Sequence, residues 1–386
     1  MIVAGIMSGT SADGINVAIV NLLDHDFETK VDLVAHQEFS YPRNVRNFVL
    51  SVMNAEARVA DLARLNVVLG ELYAEAVLAT ASRAQAGVSL IGCHGQTIYH
   101  QGDRKKFLGR EIAATWQTGE GAIVAARTGI PVVSDFRQAD MAAGGKGAPL
   151  VPFLDYMLYR HPQRGRIVQN IGGIANMTAI PPGTASGGGT RPERVIAFDS
   201  GPGNMVIDAV MDKLYGKRFD KDGKIAAQGK LIESILEKLL AAPFFRKDPP
   251  KTAGREEFGR EFVARFLKLC GRAKKQDVVA TATALTARSI AQAVGNLLPN
   301  AQRRGAYHDL IISGGGSRNC TLVKMIAEQL PSLAVKTSDS YGIPAEAKEA
   351  VAFAVLAYQT WHRLPSSISS ATGADYPAVL GKISYP

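Results

Sequence analysis

"IVAGIMSGTSADGINVAIV", residues 2–20, sets two apolar runs on either side of seven small or polar residues, Ser8, Gly9, Thr10, Ser11, Ala12, Asp13 and Gly14. Ile2–Met7 and Ile15–Val20 have the branched aliphatic composition of strands. An ordinary hairpin closes in about two to five residues, so this connection is longer than reversal requires. A loop so rich in Gly, Ser and Thr exposes backbone N–H groups and hydroxyls, the donors that a polyphosphate needs. The stretch predicts a strand hairpin whose turn holds an anion.

Outward from this hairpin, "KVDLVAHQEF" (30–39) predicts a third strand and Val59–Ala86 a long helix. "VSLIGCHGQT" (88–97) reads as an apolar strand ending in a polar loop, "GEGAIVAARTG" (119–129) as a helix closed by Gly129, and "IPVVSDF" (130–136) as a buried strand. Beyond it come a helix in "APLVPFLDYMLY" (148–159) and a hairpin around Gly172 and Gly173 in "RIVQNIGGIANMTAI" (166–180). "PPGTASGGGTRPE" (181–193) is a low-complexity surface loop. "RVIAFDSGPGN" (194–204) is a strand that turns into a helix. A second long helix spans Gln276–Leu298, "HDLIISGGGSRN" (308–319) is a strand with a Gly-rich turn, and "EAKEAVAFAVLAYQTW" (346–361) is an amphipathic helix stopped before Pro365. Strands alternating with helices predict an α/β fold with largely parallel sheets. The strand–small turn–strand unit recurs at 166–180, which predicts an internal structural duplication. Two similar lobes would then face a central cleft, the usual place for a ligand. The N-terminal lobe is expected over 1–135, joined by 364–386, and the C-terminal lobe over 136–363.

With 386 residues the chain exceeds one hydrophobic core, and 46% hydrophobic with 20% charged residues is ordinary for a soluble protein. No apolar stretch approaches the ~20 residues of a membrane span, and no basic segment followed by an apolar one opens the chain, so neither a membrane nor secretion is expected. Cys93, Cys270 and Cys320 show no metal spacing and read as small buried hydrophobes in a reducing, cytoplasmic compartment. The net charge of +9 is dispersed, without the aromatic-interleaved basic patch of a nucleic-acid binder. A positive protein that handles anionic small molecules fits it as well.

Three Gly-rich turns end apolar strands: Ser8–Gly14, Ile171–Asn176 together with Asp199–Asn204, and Ser313–Asn319. Glycine lets the backbone approach a ligand closely, so three such turns point to a nucleotide. The G-x-x-x-x-G-K-[ST] pattern of a P-loop is missing, and "GGGSRN" lacks the spacing of a dinucleotide fingerprint.

"GIMSGTSADG", "HGQTI", "TWQTGEG", "VVSDFRQADMAAGGKGAPLVP", "QNIGGIANMT", "FDSGPGN", "SGGGSRN" and "KEAVAFAVLA" resemble, in order from Gly5 to Ala357, the motif series of the anhydro-N-acetylmuramic acid kinase family. The resemblance implies two ribonuclease-H-like lobes of the actin and hexokinase type, and an ATP-dependent reaction in cell-wall (murein) recycling. In that reaction water opens 1,6-anhydro-N-acetylmuramic acid and the O6 released is phosphorylated. It assigns ATP to Ser8–Gly14 with Ile15 and Asn16, to Gly172, Gly173, Gly201 and Gly203, and to Gly314, Gly315, Gly316 and Asn319. Many relatives carry Asp where this chain has Asn16.

Asp199 would be the base that takes a proton from water, although by position alone it could equally cap the helix that follows. The sugar is assigned to His94, Gln96, Thr97, Arg137, Asp140 and Glu349, with Glu346 an alternative one turn earlier. Arg137 suits the lactyl carboxylate of muramic acid. By residue type alone, His94 also fits a structural role, and Arg137 with Asp140 a surface ion pair. Mg²⁺ is expected as a cofactor and Asp13 could hold it through water, but the metal ligands stay unassigned. A homodimer is implied by the resemblance alone. Two other readings remain: a related kinase for another sugar, and an actin- or chaperone-like ATPase switch.

Overall fold

The structure is a computed structural model, and it describes residues 1–9, 12, 14–23, 30–183, 192–249, 251–297 and 307–386. Thr10, Ser11, Asp13 and most of the 181–193 loop lie outside the described residues. The chain forms two compact units, Met1–Leu158 with Gly342–Pro386, and Tyr159–Tyr341.

In the first unit, alternation of apolar residues builds β1 (Ile2–Ser8), β2 (Gly14–Leu23), β3 (Lys30–Ser40), β4 (Leu90–Phe107), β5 (Arg110–Thr118) and β6 (Val132–Ser134). With the terminal strand Lys382–Ser384 they make a seven-stranded sheet. β1 pairs antiparallel with β2 from Ile2↔Asn21 to Met7↔Asn16, and β2 antiparallel with β3. β1 pairs in parallel with β4, and β4 with β6. The second unit contains β7 (Gly165–Ile171), β8 (Ile174–Ile180), β9 (Ile196–Pro202), β10 (Tyr307–Ser313) and β11 (Ala334–Thr337). Its sheet order is β9-β8-β7-β10-β11, with β7–β8 and β8–β9 antiparallel and β7–β10 and β10–β11 parallel. The path β3-β2-β1-β4-β6 of the first unit has the same order and the same orientations. The duplication expected from the repeated hairpins is therefore present at the level of topology.

Four details differ from the sequence reading. β4 does not give way to a polar loop within 88–97 but runs on to Phe107, because β5 pairs with it and turns a polar stretch into a hairpin. The units divide at Leu158 and Gly342, not at 135 and 363, since the helices Phe136–Ala142 and Lys348–Trp361 belong to the first unit. The last helix is not amphipathic: from Lys348 to Thr360 every residue except Glu349 is buried. Among the cysteines, Cys93 and Cys270 are buried as expected, whereas Cys320 is exposed.

Helix Lys348–Trp361 can lie so deep because strands β1 and β4 each offer it a glycine. A Cβ at Gly5 would collide with the Ala350 carbonyl, and one at Gly92 with the Phe353 carbonyl. Backbone-to-backbone contact of this kind tolerates no side chain. Gly92→Val is expected to cost about 3 kcal/mol or more by overpacking, read as a lowered urea midpoint; a midpoint within error of the parent would refute the packing argument.

Candidate functional site

In the first unit the turn after β1 is anchored from below. Ser8 is 1% and Gln96 0% exposed. The Tyr41 hydroxyl donates to Ser8 Oγ (2.9 Å) and lies 3.2 Å from Tyr73 Oη and 3.4 Å from Gln96 Oε1. Gln96 Nε2 donates to the Gly9 carbonyl (3.0 Å), which also accepts from the Ala12 N–H (3.1 Å). Burial raises the pKa of both phenols, so they remain neutral hydrogen-bonding groups. Gln96 thus supports the loop from a neighbouring strand, and Ala12 spends its amide within the loop. Ile15 is buried in the core, and Asn16 Oδ1 lies 3.0 Å from His36 Nε2, so neither side chain is directed by the fold toward a ligand. Tyr41 and Tyr73 were not legible in sequence, because nothing local marks an aromatic residue that reaches beneath a distant loop.

His94, Arg137, Asp140 and Glu349 lie in the same unit. His94 is 3% exposed, and its Nδ1 lies 2.7 Å from the Gly95 carbonyl. Its Nε2 lies 3.1 Å from Arg137 Nε and 2.9 Å from Nη2. A neutral ring with Nδ1–H donating to Gly95 and Nε2 accepting from Arg137 satisfies both contacts. Burial and the adjacent guanidinium hold its pKa well below 6.5. The ring also packs on Phe353, with centroids 4.5 Å apart. Arg137 Nη1 donates to the Gly147 carbonyl (2.7 Å). Burial pulls the guanidinium down to about 10 while Glu349 and Asp140 oppose the shift.

Asp140 is 0% exposed, with Oδ2 accepting from the Gly147 N–H (2.8 Å) and Oδ1 from Thr372 Oγ1 (2.7 Å). This is neither the surface ion pair nor the direct sugar contact considered from sequence: the carboxylate ties the Gly144–Gly147 loop in place. Thr97 is half-buried and its Oγ1 accepts from Gln117 Nε2 (3.3 Å). Glu349 stands exposed in the first turn of helix Lys348–Trp361, whereas Glu346 precedes the helix. The carboxyl reaches solvent yet is surrounded by protein bulk, which raises its pKa against the pull of Arg137 and Lys348. Lys348 beside it forms a buried ion pair with Asp155 (2.6 Å) that fixes this end of the helix.

In the second unit the two Gly-rich turns interlock. The N–H groups of Gly203 and Met205 donate to the Gly173 carbonyl and that of Asn204 to the Gly172 carbonyl. The first amides of helix Asn204–Tyr215 are thus used inside the protein, not on a ligand. The N–H groups of Gly172 and Gly173 carry no hydrogen bond among the described residues, and Gly173 is exposed. A Cβ on Gly203 would collide with the Gly172 carbonyl, which explains the glycine by packing. Gly201 likewise faces Ser289. Gly314 has φ +80°, and Gly315–Arg318 form a 3₁₀ turn. Asn319 caps the next helix by accepting from the Leu322 N–H (3.0 Å). Beside this turn a cavity of about 440 Å³ is lined by Asn204, Asp208, Phe219, Gly315, Arg318 and Asn319, of ordinary size for a small-molecule site. Asp208 and Phe219 were not singled out from sequence, and Asn204 and Arg318 entered only as members of two Gly-rich turns, since no spacing rule links the three segments.

Asp199 sits on β9, opposite Asn176 of β8 next to a register shift. Its N–H donates to the Lys251 carbonyl (2.9 Å), and its Oδ2 accepts from the Ala253 N–H (2.7 Å). The helix-capping alternative does not occur: helix Asn204–Tyr215 has no side-chain cap. Burial, followed by the charges of Glu257 and Glu256, raises Asp199 to about 6, against the Ala253 N–H. A carboxylate poised near neutrality suits general-base work.

The profile of "Anhydro-N-acetylmuramic acid kinase" matches residues 1–386. The chain belongs to that family. It is 44% identical to the anhydro-N-acetylmuramic acid kinase of Caldanaerobacter subterraneus subsp. tengcongensis, over 99% of this chain and 96% of the relative. It is 42% identical to that of Bacillus cereus strain Q1, over the whole of both chains. Among solved structures it is similar to (R)-2-hydroxyglutaryl-CoA dehydratase component A of Acidaminococcus fermentans, at 14% identity and TM-score 0.44 over 93% of this chain and 98% of the other. That last similarity is too loose to add to the family assignment.

The neutral His94 yields a stability prediction for this family member. Its folded pKa lies below the unfolded 6.5, so its contribution is present above pH 6.5 and is lost as pH falls below it. The slope approaches about 1.4 kcal/mol per pH unit. His94→Gln, which keeps an acceptor for Arg137, is expected to flatten the acid side of the stability curve measured by urea unfolding. An unchanged acid slope would contradict the assignment of a neutral imidazole.

Proposed function

We propose that the chain is an ATP-dependent carbohydrate kinase that opens 1,6-anhydro-N-acetylmuramic acid with water and phosphorylates O6, giving N-acetylmuramic acid 6-phosphate for cell-wall sugar recycling. The observation that carries this reading is Asp199: a residue of β9 whose N–H donates to the Lys251 carbonyl, whose carboxylate accepts from the Ala253 N–H, and which is raised to about 6, in a chain of this family. Water attacks C1, its proton passes to Asp199, the C1–O6 bond breaks, and O6 takes the electron pair to the γ-phosphorus, whose bond to the β–γ bridging oxygen breaks as ADP leaves. Arg137, held by His94 and Gly147, presents a planar cation to the lactyl carboxylate. Glu349 accepts from a sugar hydroxyl, and Asp140 positions the loop around Arg137 without touching the sugar.

The free amides of Gly172 and Gly173 suit phosphate oxygens, and the cavity beside Gly315 suits the nucleoside, with Phe219 as an apolar wall. Mg²⁺ on the nucleotide would neutralise the transferring phosphoryl group while keeping most of its waters. Asp13, the loop carboxylate considered for it, lies outside the described residues. Use of ATP places the reaction in the cytoplasm. Among the described residues no helix is long and apolar enough to cross a membrane.

Asp199→Asn is expected to leave ATP affinity nearly intact and to lower turnover about 10²-fold or more. For the parent, kcat/KM should fall on the acid side with a midpoint of about 6, because the base must be deprotonated to act. Product formed in ¹⁸O-water should carry the heavy oxygen at C1. Normal turnover of the Asn variant, or label absent from C1, would remove Asp199 or water attack from the reaction. ATP hydrolysis at full rate without the sugar would favour the nucleotide switch instead.

A further inference from the structure

Lys251 is 7% exposed, yet among the described residues no carboxylate forms an ion pair with it. Isolated buried ammonium groups are costly and are retained where they hold something in place. Its Nζ donates to the Phe244 carbonyl (3.3 Å) and lies 5.0 Å from the centroid of the Phe244 ring and 5.7 Å from that of Phe198. Phe198 immediately precedes Asp199. The carbonyl of Lys251 accepts the Asp199 N–H, and two residues later the Ala253 N–H reaches the Asp199 carboxylate. The cation therefore grips the strand from one side while its own backbone grips the next residue. Phe244 is a firm anchor for this, packed edge-on against Phe245 and Phe258.

We propose that Lys251 is a positioning residue for Asp199, its buried ammonium fixing the Lys251–Ala253 segment in the register that orients the base. This rests on the reading of Asp199 as the base. The charged groups around Asp199 are Glu256 and Glu257, and those around Lys251 are Asp248 and Lys247. Loss of the cation loosens the Ala253 N–H bond that favours the ionised carboxylate, so the proton affinity of Asp199 rises.

The test is steady-state kinetics over pH on the full chain with ATP and the anhydro sugar. Lys251→Met keeps the volume and packs between two aromatic rings. It should lower kcat about 10- to 100-fold with both KM values within about twofold, and move the acid limb of kcat/KM to higher pH, while Lys251→Arg restores most of the rate. Should the Met variant not fold, Lys251→Gln carries the same expectation. An acid limb unmoved, or a kcat loss that tracks only a lowered melting temperature, overturns the proposal. Asp199→Asn, measured alongside, separates the two claims: an active Asn variant removes the base reading, whereas an inactive one beside a fully active Met variant removes Lys251 alone.

Discussion

The first unit depends on one contact, the approach of helix Lys348–Trp361 to strands β1 and β4 at Gly5 and Gly92. Two missing side chains allow a buried helix to lie directly on the sheet. That depth brings Phe353 under the His94 ring and against Phe136, with centroids 4.5 and 5.3 Å apart. His94 is then fixed, and its Nε2 fixes Arg137. The same helix exposes Glu349 at its first turn, where the buried Lys348–Asp155 pair prevents rotation. Removing one partner of such a pair would strand a buried charge, so the start of the helix is strongly determined.

The second unit solves the same problem with different residues. Helix Lys275–Leu297 is buried along most of its length, and it meets the glycine turn through Thr286, whose hydroxyl donates to the Gly203 carbonyl (2.9 Å), and Ser289, packed on Gly201. In both units a buried helix packs closely on glycines, Lys348–Trp361 on Gly5 and Gly92 of the sheet and Lys275–Leu297 on Gly201 and Gly203 of the turn. The repeated sheet order makes this a property of the fold. The side chains that line each turn are free to differ, so one unit carries the cationic Arg137 arrangement and the other the carboxylate of Asp199.

Much of this was legible from residue pattern. Apolar alternation and glycine-bounded runs located β1, β2, β7, β8, β9 and β10, and the helical spacing located both long helices. Asp199 read as the end of a strand because an apolar run stops at it, whereas β9 continues through it to Pro202. What stayed hidden was set by partners distant in sequence. The polar stretch from Gln101 to Phe107 is a strand only because β5 folds back on it. Asp140 looked like a surface charge until Thr372, 232 residues away, accounted for one of its oxygens. The last helix read as amphipathic, yet of the adjacent Lys348 and Glu349 one is buried in an ion pair and the other exposed. Lys251 gave no signal, since a lysine near prolines reads as surface and only its aromatic neighbours reveal its burial.

Two titratable groups are displaced in opposite senses, and the displacement divides the chemistry. Burial next to a guanidinium keeps His94 neutral, so it can accept from Arg137 and leave that cation's remaining donors available. Burial beside two carboxylates raises Asp199, which suits it to the proposed role of base. Exchanging the environments would fail on both counts: a charged imidazole would repel Arg137, and an unshifted carboxylate would be a weaker base by about two orders of magnitude in proton affinity. Environments that push titratable groups apart are how one fold assigns a binding role and a basic role at a single working pH. The roles proposed for these residues follow from what surrounds them, and for Asp199 that surrounding is the backbone of Lys251 and Ala253.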